Sequence, residues 1–206
     1  MKLEEIFELS YCINLKKRTD RWNQCQEEFK KINFYPERFN AIENENPALG
    51  CYLSHLEILK RARDANKSVL IFEDDVEVIH FEDKIIEKAL DELYNMDYAM
   101  FYLGANLMNP CYQVTQHLAR LTWAQSAHSY AINKKYLSQI VDLVENNLTF
   151  IDVIYAQGVC PNLPCYITVP MITIQRTGFS NIENKEMNYD IPIQRYNQHL
   201  VRMKMK

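Results

Sequence analysis

The sequence has little glycine and no low-complexity tract: four glycines and seven prolines among 206 residues leave nothing that reads as a flexible linker or a disordered arm. It has no apolar run near the roughly 20 residues needed to cross a bilayer, and the opening MKLEEIFELSYCINL sets acids where a secretion signal needs a bare apolar segment. It also has no basic excess. The formal net charge of -4 speaks against nucleic acid as a partner, because neutralising phosphates takes a broad cationic surface. The lysine-rich end VRMKMK allows at most a peripheral membrane contact, and the expected location is cytoplasmic. Six cysteines, Cys12, Cys25, Cys51, Cys111, Cys160 and Cys165, include no C-x-x-C pair. They read as free thiols in a reducing compartment, with a Cys160–Cys165 bridge across CPNLPC as the exception. No internal repeat, P-loop or H-E-x-x-H helix is present.

What is there is a chain with 48% hydrophobic residues, enough for one compact domain over residues 1–206. SYCINL reads as a strand and RWNQCQEEFKKI as an amphipathic helix. NFYPERFNAI is strand-like. GCYLSHLEILKRARDANKS is helical with a basic last turn, Gly50 forming a tight turn ahead of it and Ser54 and His55 falling in its first turn. VLIF follows as a strand buried on both faces. The alternation continues through the helix EDKIIEKALDELYNM, the strands DYAMFYLG and HSYAIN and the helix KKYLSQIVDLVENN. It predicts an α/β fold with a largely parallel central sheet flanked by helices. Past Phe150 it loosens into short strands such as CYITVPMITIQ, and residues 105–125 say little.

VLIF runs straight into Glu73, Asp74 and Asp75, at the carboxyl end of a strand, where ligands gather in such sheets. Clustered acids ask for a cation, and oxygen ligands suit manganese or magnesium with phosphate oxygens completing the shell. A solvated cap is the other reading of the same three acids. Beyond the first strand, Asn14, Lys16, Lys17, Arg18 and Arg21 offer basic groups that could meet a diphosphate, or simply face water. Ser54 and His55 are neighbours on a helix and do not face each other, which excludes a Ser-His nucleophile.

The ordered set YCINLKKRTDRW, LGCYLSHLEIL, VLIFEDDVEV, FIDVIYAQ and TIQRTGFSNI resembles that of glycosyltransferase family 25, over about residues 9–183, leaving residues 184–206 as a tail. That family includes bacterial lipooligosaccharide sugar transferases and collagen hydroxylysine galactosyltransferases. The resemblance implies a GT-A type, Rossmann-like nucleotide-sugar fold, a UDP-sugar donor (galactose or a close relative), a divalent metal (Mn2+ or Mg2+) and inversion. It places the metal motif on Glu73, Asp74 and Asp75, with Asp75 the first ligand and Asp74 beside it. It sets Ile13, Asn14, Leu15 and Arg21 along the nucleotide, and matches Gly50, Cys51, Ser54 and His55. The late aspartate falls on Asp152, two residues after Phe150, where the pattern commonly has proline. Asp152 is then the expected base, with Glu77 and Asp190 in reserve, and Gln175, Arg176 and Ser180 close over the donor. The acceptor would be a glycan, lipooligosaccharide or hydroxylysine. Both Asp74 and Asp75 are expected to be replaceable without loss of the fold. Two alternatives stand beside this one: an inactive sugar-nucleotide-binding module of a larger assembly, and a metal-dependent phosphoryl-transfer or hydrolytic enzyme.

Overall fold

The structure, a computed structural model, describes residues 1–81, 84–180, 185–187 and 190–202, with side chains for all of these except 179–180, 185–187 and 190–192. In chain order, α1 (Leu3–Ile6) leads to β1 (Leu9–Asn14), α2 (Thr19–Lys31) to β2 (Glu37–Asn40) and α3 (Pro47–Ala65) to β3 (Val69–Glu73). Then come β4 (Val76–Val78), α4 (Ile85–Tyr94) and β5 (Met100–Tyr102). Residues 105–125, uninformative as sequence, form β6 (Asn106–Leu107), β7 (Cys111–Gln113), β8 (Leu118–Arg120) and β9 (Ala124–Gln125). After β10 (Ser129–Ile132), α5 (Leu137–Glu145) and α6 (Ile151–Ile154) precede β11 (Cys165–Thr168), β12 (Thr173–Gln175), β13 (Gly178–Ser180) and β14 (Lys185–Met187). The described part closes with α7 (Asp190–His199) and β15 (Leu200–Val201); residues 203–206 of the lysine-rich end lie outside it.

A nine-stranded sheet runs in the order β15-β7-β8-β11-β5-β10-β3-β1-β2. Its strands point one way except β8 and β10, which pair antiparallel with both neighbours. The sheet is therefore mixed and largely parallel, as the alternation of strands and helices implies.

Strand periodicity explains why VLIF is apolar throughout. Val69 and Ile71 join one core with Leu56, Leu59 and Ala62 of α3 and Ile140 and Val144 of α5. Leu70 and Phe72 join the opposite core with Cys25 and Phe29 of α2 and Leu90 of α4. The same division holds for β5, where Met100 and Tyr102 face the first core and Phe101 the second, and for Ala131 against Tyr130 and Ile132 in β10. Side chains alternate across a strand, so a strand with a helix layer on each face has no position left for a polar residue until it emerges. In β3 that point is Glu73.

Helix α3 corrects one expectation. It begins at Pro47, with the Asn46 carboxamide oxygen accepting the Ala48 and Leu49 amides at 3.0 and 3.3 Å. Gly50 is thus inside the first turn, and Ser54 and His55 lie deeper in the helix. What calls for glycine there is a close approach, since a Cβ would meet the Ile42 carbonyl oxygen at 2.6 Å. Ser54 Oγ reinforces that crossing, accepting the Ile42 amide at 2.8 Å and donating to the Gly50 carbonyl at 2.7 Å. At its far end α3 stops on Asn66 in the left-handed region, φ 52°.

All six cysteines are free thiols, Cys160 and Cys165 included. Among the described residues no helix is long and apolar enough to cross a membrane.

Candidate active site

β1 sits between β2 and β3. The chain leaves β1 through α2 on one face and reaches β3 through α3 on the other, so the loops after β1 and β3 diverge. A crevice opens beyond the strands' carboxyl ends at such a switch of direction. Here it is an open cleft of about 840 Å³. Ile13, Leu15, Arg18 and Arg21 line it from β1 and the turn that follows, and Gly50 and Ser54 from α3. Glu73, Asp74 and Asp75 line it from the end of β3, and Asp152 from α6. Asn14 and His55 are 1% and 0% exposed and stand behind this wall. They act on the cleft through Asp74 and Glu73.

The three consecutive acids have three different surroundings. Glu73 Oε1 lies 3.0 Å from His55 Nε2 and 3.8 Å from Cys51 Sγ. Burial alone would raise its pKa, but the His55 contact holds it below the ordinary glutamate value. Asp74 accepts from Arg21 Nη1 at 3.0 Å on one oxygen and from Asn14 Nδ2 at 2.5 Å on the other. Asn14 is fixed in turn by the Arg38 guanidinium on its Oδ1, at 2.5 Å. Asp75 is different: its Oδ1 is buried with no hydrogen-bond partner, and its Oδ2 has only a long contact, 3.4 Å, from Gln175 Nε2. Burial, then the charges of Glu73 and Asp74, push its pKa up to about 7 against the opposing Arg21.

These donors fit a hard divalent cation. A buried carboxylate oxygen without a partner, in an acid-lined cleft, is the group such an ion would satisfy, and Asp75 carries it. Asp74 fits less well, because Arg21 and Asn14 already hold both of its oxygens.

Besides Arg21, two basic groups after β1 pair with carboxylates at the surface, Arg18 through both Nε and Nη2. Lys17 Nζ meets Glu43 at 3.1 Å and Arg18 meets Asp20 at 2.7 Å, all with substantial exposure. Both pairs face solvent, where water and salt screen them, so their carboxylates can be exchanged for phosphate oxygens.

Asp152 lies in the first turn of α6, and its Oδ2 accepts the Ser126 amide at 3.1 Å. Ser126 holds φ 76°, a left-handed conformation that a residue with a side chain rarely adopts. Burial raises the Asp152 pKa, the Ser126 hydrogen bond opposes this, and the Glu73 charge adds to it.

Several participants had no signal in the sequence. Ser126 reaches Asp152 by its backbone, which no side-chain pattern announces. Tyr130 Oη bonds His55 Nδ1 and Tyr155 Oη, both at 2.9 Å, across long separations in the chain. Asn106 and Gln125 line the cleft from the stretch that was unreadable. Cys51 did have a signal, standing four residues before His55 on a helix. Among the late residues Gln175 and Arg176 both border the cleft, and the Arg176 side chain also bonds Gln24 at 3.0 Å and the Val76 carbonyl at 3.2 Å. Glu77 sits in β4 away from the lining, and the side chains of Ser180 and Asp190 lie outside the described residues.

No curated protein matches this sequence. Among solved structures, the chain is similar to a glycosyltransferase involved in glycosylation of the major capsid of PBCV-1. The TM-score there is 0.48 at 11% identity, over 77% of this chain and 80% of that one. It is similar to A197 from STIV, TM-score 0.47 at 10% identity, over 96% and 97%. It is also similar to CTP:phosphocholine cytidylyltransferase from Streptococcus pneumoniae, TM-score 0.44 at 8% identity, over 81% and 92%. Residues 45–155 match the profile of glycosyltransferase family 25, described as an LPS biosynthesis protein. That span carries Gly50, Ser54, His55, the three acids and Asp152, and leaves the β1 loop outside.

Proposed function

Because the chain belongs to glycosyltransferase family 25, we propose that its cleft moves a hexose, galactose or glucose, from a UDP-sugar to an acceptor hydroxyl, with a divalent cation and inversion at the anomeric carbon. The acceptor is a glycan, a lipooligosaccharide or a hydroxylysine. The observation that carries this reading is the unpartnered Asp75 oxygen in a cleft of about 840 Å³ at the switch point of the sheet.

Manganese or magnesium bound by Asp75 would supply positive charge to the departing diphosphate. The protein's own groups do the rest. Lys17 and Arg18 exchange their exposed carboxylates for phosphate oxygens, while Ile13 and Leu15 border the nucleotide. Arg21 and Asn14 hold Asp74 in place, which keeps negative charge beside Asp75 and favours a cation there. Asp152 takes the acceptor proton as the new C–O bond forms at the anomeric carbon and the bond to the diphosphate breaks. A carboxylate whose pKa is raised by burial is a better proton acceptor than a solvated one, and the Ser126 amide fixes its direction.

The test is a thermal-shift titration with UDP, with and without manganese, using GDP as control, followed by UDP-sugar hydrolysis. Stabilisation by UDP only when manganese is present is expected, as mass action requires of a ligand that binds the folded state. Asp75→Asn should lose that dependence and at least a hundredfold in turnover. Binding without any turnover would favour the inactive module, and no shift with any nucleotide would sink the donor site.

A further inference from the structure

Besides the Asp75 oxygen, one other set of ligating atoms converges among the described residues. Cys51 Sγ, a His55 ring nitrogen and a Glu73 carboxylate oxygen all lie within 4.8 Å of one another. We propose that Cys51, His55 and Glu73 form a tripod for a thiophilic divalent cation of the zinc class, separate from the hard-cation position at Asp75.

Cys51 and His55 are four residues apart on α3 and so share one face of it, and the β2–α3–β3 crossover brings the end of β3 beneath that face. Around a tetrahedral zinc with bonds of about 2.0–2.3 Å, ligand atoms stand roughly 3.3–3.8 Å apart. The Glu73 oxygen is already 3.0 Å from His55 Nε2 and 3.8 Å from Cys51 Sγ. Binding therefore asks for small adjustments of side chains. A thiolate and an imidazole select zinc or cobalt over magnesium, whereas Asp75 offers oxygen alone.

The surroundings of His55 favour the same assignment. Its ring is fully buried, and Nδ1 lies 2.9 Å from Tyr130 Oη, which lies 2.9 Å from Tyr155 Oη. In the metal-free protein Nε2–H donates to Glu73; when a cation takes that place the ring proton shifts to Nδ1 and is donated to Tyr130, whose hydroxyl donates to Tyr155, which leaves the Nε2 lone pair for the metal. An outer partner on the second ring nitrogen is what orients a metal-bearing imidazole. Cys51 and Glu73 both line the cleft, so the fourth position of the tripod opens toward it. On binding, the S–H bond breaks, the proton passes to solvent and a metal–thiolate bond forms, with no change of oxidation state.

Cobalt is the probe. Chelator-treated, reduced full chain is titrated with Co2+ and read by absorption. One equivalent should give a near-ultraviolet thiolate-to-cobalt band with visible tetrahedral bands; zinc should abolish both and manganese neither. Cys51→Ser should lose the near-ultraviolet band, and Tyr130→Phe should weaken cobalt binding about tenfold. A missing band in the wild type, or one that persists in Cys51→Ser, overturns the proposal. Should Cys51→Ser not fold, X-ray absorption at the zinc edge of the loaded wild type decides, because a shell without sulfur overturns the tripod equally. UDP binding is measured separately in manganese without cobalt, so a failed tripod and a failed donor site give different results.

Discussion

Glu73, Asp74 and Asp75 are adjacent in sequence, yet one pairs with a histidine, one is locked by an arginine and an asparagine, and one is left with an open oxygen. The two aspartates therefore respond to substitution in opposite ways. Asp74→Ala removes the acceptor that Arg21 and Asn14 share at a site where Asp74 is 8% exposed, while Asn14 keeps its bond to the Arg18 carbonyl, and should lower stability by about 1–3 kcal/mol in denaturant melts. The same melts test the expectation that the fold survives removal of either acid. Asp75→Asn should do the reverse in metal-free buffer. The folded protein keeps a proton on Asp75 up to about pH 7, whereas the unfolded chain releases it near 3.8. Between those values the folded state binds more protons, so this residue's contribution to stability falls as pH rises and is at its worst above 7. Asn removes that penalty. The variant should match wild type near pH 4 and exceed it by about 1–3 kcal/mol at pH 8. The comparison is made as a difference because buried His128, held down to about 4 by desolvation, acts with the opposite sign in both proteins. A gap that does not widen with pH would contradict the account of Asp75.

The crossing of α3 over the loop after β2 sets the site at the scale of elements. Gly50 passes within a missing Cβ of the Ile42 carbonyl, and Ser54 bridges the same two segments. Gly50→Ala forces backbone against side chain, so α3 must shift, carrying Cys51 and His55 with it. The expected cost is about 1–3 kcal/mol, together with loss of manganese-dependent UDP stabilisation, both read in one thermal-shift series. A variant that keeps full UDP response would mean that the crossing does not position the site. The start of this helix was misread from sequence because Gly50 has the look of a breaker. Asn46-Pro47 was the better start signal, a cap followed by the residue suited to the first helical position.

At the scale of the molecule, β3 contributes alternate residues to cores on both faces of the sheet. The two cores should therefore unfold together, as one domain. Leu59→Ala on the α3 face and Phe72→Ala on the α2 face should each cost about 2–5 kcal/mol, and calorimetry should show a single transition for both variants and wild type. Two separable transitions would refute the single unit. By itself, the sequence determined the alternation of strands and helices, the burial of VLIF on both faces, the arrival of three acids at a strand end and the family. All of these reside in local periodicity or in an ordered string of motifs. Only the tertiary structure decided which acid keeps an open oxygen, that Ser126 aims Asp152, and that Cys51, His55 and Glu73 converge with Tyr130 and Tyr155 behind them. Those outcomes depend on side chains and backbone amides brought together from distant segments, and separation along the chain carries no information about that.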